Sequence, residues 1–102
     1  MNTKLKKIRC VHPYNNDGDR IKVELVDSPD SQSVNPPQTF RSNDTLEINL
    51  SVPVHGQDAK ISILAEPNSL IEGHIHTARS DGEKTKTLQK DAANYEIIYE
   101  VN

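Results

Sequence analysis

Apolar residues return at every second position through most of this chain. In residues 20–26, Ile21, Val23 and Leu25 alternate with Arg20, Lys22 and Glu24, the two-residue period of a half-buried strand. Residues 4–11 form a similar run, with Ile8 and Cys10 on one face, Arg9 and Val11 on the other, and His12 and Pro13 ending it. The stretch 8–26 therefore reads as strand, polar turn, strand, with Asn15-Asn16-Asp17-Gly18-Asp19 as the turn and the rest of the chain organised around it. Residues 45–54 are the longest alternating run: Leu46, Ile48, Leu50, Val52 and Val54 share a face, which predicts a central core strand. Pro53 suits the end or edge of such a strand. Residues 59–66 turn Ala59, Ile61, Ile63 and Ala65 inward and Lys60, Ser62 and Glu66 outward, with Leu64 out of phase. Joined through His55-Gly56-Gln57-Asp58, these last two runs predict an antiparallel hairpin.

Residues 70–78 set Ile71, Gly73 and Ile75 against Glu72, His74 and His76. Residues 85–88 predict a weak edge strand, where Lys84, Lys86 and Lys90 would discourage edge-to-edge pairing. Residues 94–102 close the chain with Tyr95, Ile97, Tyr99 and Val101 in phase. Residues 27–38 hold three prolines and no apolar period, so they read as a long loop suited to recognition or to crossing between sheets. Turns are expected at 43–45, 67–69 and 80–82, and a short helical turn about 89–93. No window carries a sustained 3.6-residue period. The pattern predicts an all-β fold, an antiparallel two-sheet β-sandwich of seven to eight short strands, jelly-roll-like, with an open barrel as the alternative.

Composition sharpens this picture. At 102 residues the chain fits a single domain spanning 1–102 with one hydrophobic core. Ile, Leu, Val and Phe supply 24 residues, enough to fold but with a thin core. Its four aromatics, Tyr14, Phe40, Tyr95 and Tyr99, leave that core aliphatic and β-branched. A net charge of -3 gives no field to gather a polyanion, so nucleic acid is not an expected partner. Lys4, Lys6, Lys7 and Arg9 near the start read as solvated strand residues, since no stacking aromatics accompany them. No apolar run follows that basic start and the only cysteine is Cys10. Both point to a cytoplasmic origin, or to export without a classical signal peptide.

Two constellations could carry chemistry. Asn15, Asp17 and Asp19, with Asn43, Asp44 and either Glu66 or Asp81, could meet at one end of a sandwich as hard oxygen ligands for Ca²⁺. The competing explanation for Asp17-Gly18 is a type I′ hairpin turn. His74 and His76 sit at i and i+2 of a strand, so both rings point to one side and could share a transition metal, with His12 or His55 as a third ligand. This resembles the opening of the cupin metal motif, but the expected glutamate is displaced to Glu83 or replaced by Asp81, and the second cupin motif is missing. Gly-x-Ser-x-Gly, P-loop and Rossmann glycine patterns are absent, and no nucleophile stands beside a base. Cys10 reads as a small buried hydrophobe.

The frame 7–11 (Lys-Ile-Arg-Cys-Val), a Gly-Asp turn into 21–25, the strands 43–50 and 60–66, and the closing 93–101 together resemble small bacterial β-sandwich modules of C2-like character. That resemblance implies a C2-like fold in which loop aspartates bind Ca²⁺ and dock on anionic lipid; here Asp17 and Asp19, helped by Asp44 or Asp81, would play that part. The apolar loop tips that enter a bilayer are lacking, which speaks against membrane docking. The expected function is a non-enzymatic binding or assembly module contacting another protein or a second copy of itself, without a cofactor other than Ca²⁺. A Ca²⁺-dependent lipid- or glycan-binding module and a His-ligated cupin-type metalloprotein are the alternatives.

Overall fold

A computed structural model describes residues 1–102, the side chain of Asp81 excepted. Among the described residues the chain forms eight strands: β1 (Asn2–His12), β2 (Ile21–Asp27), β3 (Asp30–Val34), β4 (Thr45–Pro53), β5 (Asp58–Ala65), β6 (Ser69–His76), β7 (Asp81–Lys90) and β8 (Ala93–Val101). They make two four-stranded antiparallel sheets in the orders β4-β1-β8-β7 and β3-β2-β5-β6, a two-sheet β-sandwich. No helix among the described residues is long and apolar enough to cross a membrane.

Alternation explains the layering. β8 is buried at every second residue from Ala93 to Val101, and β2 buries Ile21, Val23 and Leu25, so each sheet presents one apolar face to the other. Tyr95, Phe40, Leu5, Ile8, Leu25 and Ile61 are among the largest fully enclosed side chains. Leu5 and Ile8 both point inward although three residues apart. The register of β1 against both neighbours shifts between Leu5 and Lys7, and Asn49 on β4 takes a positive φ of 49° there, a bulge that Asn tolerates better than most residues.

Several connections differ from the pattern-based expectation. β1 and β2 belong to different sheets, so 8–26 is a crossing between layers and not a hairpin; β4 and β5 are likewise split. The physical reason is that alternation fixes which face of a strand is buried but says nothing about its neighbour. β4 is an edge strand and β1 and β8 are central. Within the expected 27–38 loop, Asp30–Val34 pairs with β2 as β3; its pattern is nowhere fully buried, so it carried no apolar signal. Asp81 and Gly82 open β7 where a turn was expected. The expected helical turn about 89–93 is a tight hairpin between β7 and β8, with Asp91 at φ 53°, the left-handed geometry such turns require.

The edges of the two sheets approach each other on both sides. On one, the Gln32 side chain of β3 accepts a hydrogen bond from the Ser51 amide of β4 at 2.9 Å. On the other, Lys90 of β7 donates to the Leu70 carbonyl of β6 at 3.2 Å. Gly73 of β6 leaves room for Leu88, whose Cδ2 would collide with any Cβ there.

Candidate functional site

Antiparallel strands deliver the connections to two poles. At one pole lie the β1–β2 connection (13–20), the β3–β4 connection (35–44) and the β5–β6 turn (66–68), which bring Asp17, Asp19, Asn43, Asp44 and Glu66 to the same end. Asp19 is fully buried, and its carboxylate accepts four described donors. Oδ1 takes the Asn15 amide and the Asn15 side chain, each at 2.8 Å. Oδ2 takes the Tyr14 amide at 2.7 Å and the Tyr95 hydroxyl. With about four lone-pair sites on a carboxylate, none remains for a cation. Asp19 is thus a structural hub and not an open ligand.

The hub ties three segments together. The Asp19 and Phe40 backbones exchange hydrogen bonds at 2.7 and 2.8 Å, and the Asn15 side chain also donates to the Glu66 carbonyl at 2.9 Å. Gly18 permits the approach: its φ is 96°, and a Cβ there would lie 2.7 Å from Thr39 Cγ2 and 2.9 Å from the Phe40 carbonyl, so a side chain is excluded twice over. Phe40 meets Tyr95 edge to face, with centroids 6.5 Å apart. Burial pushes the neighbouring Cys10 thiol up to about 11, the Tyr95 hydroxyl drawing it partly back and the Asp19 and Asp44 charges adding to the rise. Burial, then the bond to Asp19, raise Tyr95 well above the ordinary phenol range. A buried thiol held protonated is unreactive.

The other acidic candidates are placed differently. Asp17 is exposed at the tip of its loop. Asp44 accepts the Arg41 amide at 2.8 Å, closing its own turn. Asp81 pairs through its backbone with Val101, six residues along β8 from Tyr95 and so about 20 Å toward the opposite pole; its side chain lies outside the described residues. The hydrogen-bonded cluster therefore takes in Asn15, Asp19 and the Glu66 carbonyl, while Asp17, Asn43 and Asp44 share the pole without joining it.

His74 and His76 share the exposed face of β6, as their spacing required. His76 Nδ1 lies 3.3 Å from Asp58 Oδ1, and His55 Nε2 lies 2.5 Å from Asp30 Oδ2. His12 ends β1 at the Asp19 pole, its Nδ1 2.8 Å from the Pro13 carbonyl, far from the pair it was a candidate to complete. Among the described residues, no three of His, Cys, Asp and Glu are grouped to hold a metal ion. His55 and His74 do line one cleft of 420 Å³ at the second pole, together with Val26, Asp27, Ser28, Gly56, Asp58 and Lys60.

The two outer sheet faces differ in character. On the β4-β1-β8-β7 sheet, Arg9 pairs with Glu96 at 2.8 Å and Lys6 bridges Glu100 at 2.7 Å and Glu83 at 3.3 Å. The bonds to Glu100 and Glu83 raise the Lys6 pKa, and that to Lys6 lowers Glu100. On the β3-β2-β5-β6 sheet, Leu64 and Leu70 face each other directly across β5 and β6, exposed by 40 and 41%. With Lys22, Glu24, Lys60 and Ser62 they line a shallow hollow of 170 Å³, and Lys60 pairs with Glu72 at 3.1 Å. These leucines were not among the sequence candidates, although the signal was present: Leu64 breaks the phase of its strand, and Leu70 falls in phase with Glu72, His74 and His76. No protein-family model matches the sequence, and no curated protein matches it significantly.

Proposed function

We propose that this chain is a non-enzymatic protein-binding module that self-associates through the outer face of the β3-β2-β5-β6 sheet. The observation that carries this reading is the Leu64–Leu70 pair, two large exposed apolar side chains side by side among mostly charged and polar neighbours. The charges around it are balanced: Lys22 and Lys60 offset Glu24 and Glu72. Two copies related by a two-fold axis can then set lysines against glutamates without net repulsion. Covering the exposed part of four leucines is worth roughly 4 kcal/mol at about 1 kcal/mol each. Association costs at least that much in lost freedom, so the leucines only offset that cost and the lysine–glutamate contacts around them supply the net binding, which leaves a weak complex dissociating at ~1 mM.

Light scattering after size exclusion, over a dilution series starting near ~1 mM, tests this. The expected mass moves from 11.4 kDa toward twice that value at the top of the series. Leu64→Ser/Leu70→Ser, at exposed positions, stays monomeric throughout. A wild-type protein that is strictly monomeric at the highest concentration removes the self-association.

A Ca²⁺-dependent C2-like module binding lipid headgroups or glycans is the second reading, favoured by the gathering of Asp17, Asn43, Asp44 and Glu66 around one pole. It needs a ligand set that does without Asp19. Calorimetric titration decides it: no heat and no change in melting temperature at millimolar Ca²⁺ eliminates it.

A further inference from the structure

A two-sheet sandwich exposes four sheet edges, and an edge strand with free backbone groups is a template for another strand. Three of the four edges here are blunted. On β4, Pro53 has no N–H, the Ser51 amide is taken by Gln32 at 2.9 Å, and Asn49 interrupts the extended run with a φ of 49°. On β6, Lys90 covers the Leu70 carbonyl at 3.2 Å, and Lys86 Cε lies 3.2 Å from where a Cβ of Gly73 would stand. β7 carries Lys84, Lys86 and Lys90 and a register shift between Asp81 and Lys84. The fourth edge, β3, has no lysine, proline or bulge between Asp30 and Val34, and Ser31, Gln32 and Ser33 are exposed. The direction of its backbone groups follows from β2. The Glu66 amide donates to the Arg20 carbonyl at 2.9 Å, and β2 runs against β5 without a register shift. Lys22, Glu24 and Val26 therefore also bond toward β5, which leaves Val23, Leu25 and Asp27 bonding toward β3. Their partners there are Val34, Gln32 and Asp30. Ser31 and Ser33 thus turn N–H and C=O outward, where neither has a backbone partner among the described residues.

We propose that the β3 edge is a docking site for an extended, basic segment of another protein, which joins the β3-β2-β5-β6 sheet as a fifth strand beside Ser31 and Ser33. The sign of the partner follows from the charges. Residues 23–40 hold Glu24, Asp27 and Asp30 and no lysine or arginine, and Glu24 stands directly across from Ser33. A long cationic side chain on the incoming strand, reaching over the small Ser33, meets Glu24 on the outer face. Two outward residues supply at most four backbone hydrogen bonds, which suits a short linear segment. The site is independent of the leucine face, since Leu64 and Leu70 belong to β5 and β6 at the other side of the sheet.

The test is a titration of ¹⁵N-labelled Leu64→Ser/Leu70→Ser protein, in which the leucine face plays no part, with up to about 5 mM of the end-blocked peptide Lys-Thr-Val-Thr-Lys. The expected result is a saturable change in the amide spectrum centred on residues 30–34, slower exchange of the Ser31 and Ser33 amides, and no response to Glu-Thr-Val-Thr-Glu. Ser33→Pro removes an outward N–H and no bond to β2, so it should weaken binding about tenfold at an unchanged melting temperature, whereas Gln32→Pro should lower the melting temperature. Ser31→Lys/Ser33→Lys, at exposed positions, should weaken binding as well. No saturable change, an equal response to the acidic peptide, binding indifferent to both edge variants, or shifts centred on another part of the surface would each overturn the proposal. Ser31 and Ser33 amides that shift when the protein is concentrated alone would put a second copy on this edge and overturn it too.

Discussion

Replacing Tyr95 by Phe removes one oxygen atom from the middle of the sandwich and tests whether the Asp19 hub holds the first pole together. The Tyr95 hydroxyl is the one donor to Asp19 that comes from the fully buried core. A hydrogen bond to a charged acceptor contributes about 1.5–3 kcal/mol, and in Tyr95→Phe the carboxylate keeps its three other donors. The expected loss is therefore about 2 kcal/mol. Asp19→Ala should be worse. It strands the buried hydroxyl, at about 2 kcal/mol, and the half-buried amides of Tyr14 and Asn15, at about 1 kcal/mol each because water can reach them. A loss of about 4 kcal/mol is a large part of the roughly 5–15 kcal/mol available to a domain of this size. In urea, with a slope of about 1–3 kcal/mol per M, Tyr95→Phe should lower the midpoint by about 1 M without changing the slope. The double variant supplies the sharper check. Once Asp19 is gone the hydroxyl is an unsatisfied buried donor, so Tyr95→Phe should then be neutral or stabilising. A Tyr95→Phe loss below about 0.5 kcal/mol, or an Asp19→Ala loss no larger than that of exposed Asp17→Ala, would refute the hub.

Other expectations follow from the same packing. The folded state holds the Cys10 proton up to about 11, whereas the unfolded chain releases it near 9.0. The Cys10 contribution is therefore complete below pH 9 and falls as pH rises toward 11, by at most about 1.4 kcal/mol per pH unit; Cys10→Ala should flatten the limb between pH 9 and 10 in urea titrations at stepped pH, the raised Tyr95 keeping a slope above pH 10. For the same reason iodoacetamide at pH 8 should label Cys10 only as fast as the protein unfolds, and rapid labelling of folded protein would contradict its burial. Gly73→Ala drives a methyl into Leu88, which is 1% exposed, and should cost about 1–3 kcal/mol, less in a Leu88→Ala background. Gly18→Ala combines a positive φ with a backbone collision at Phe40 and should lower the melting temperature more than Gly56→Ala, where nothing lies within 4 Å of the added carbon.

The layered fold was legible because apolar residues recur at every second position of β2, β4, β5 and β8, and burying that face of each leaves two stacked sheets as the solution. Pairing was not legible. Asp17-Gly18 looks the same in a hairpin as in a crossing between sheets, and only the partner of Ile21, which is Ala65 of β5, tells them apart. β3 was invisible because both its faces are exposed or half-buried, so its residues answer to backbone pairing alone. The leucine pair was legible in hindsight from its phase. Register also decided the fate of the histidines: spacing put His74 and His76 on one face, but Lys60 and Asp58 stand opposite them across β5, and no spacing rule names cross-strand neighbours.

The two aspartates show where reading by residue type stops. Asp19 precedes β2 and Asp27 ends it, and both are enclosed; by residue type and loop position Asp19 is a cation ligand and Asp27 is not. Their surroundings set what each does. Four donors make Asp19 worth more to the fold ionised than absent, so Asp19→Asn, which turns one acceptor into a donor facing other donors, should destabilise by about 2–4 kcal/mol. At Asp27 the carboxylate's second oxygen has nothing to lose, and burying an uncompensated charge is unfavourable, so Asp27→Asn should hold or raise the urea midpoint. Opposite signs for one chemical change at the two ends of one strand is the outcome the packing requires. Equal losses at both would mean that Asp27 is held by a structural partner.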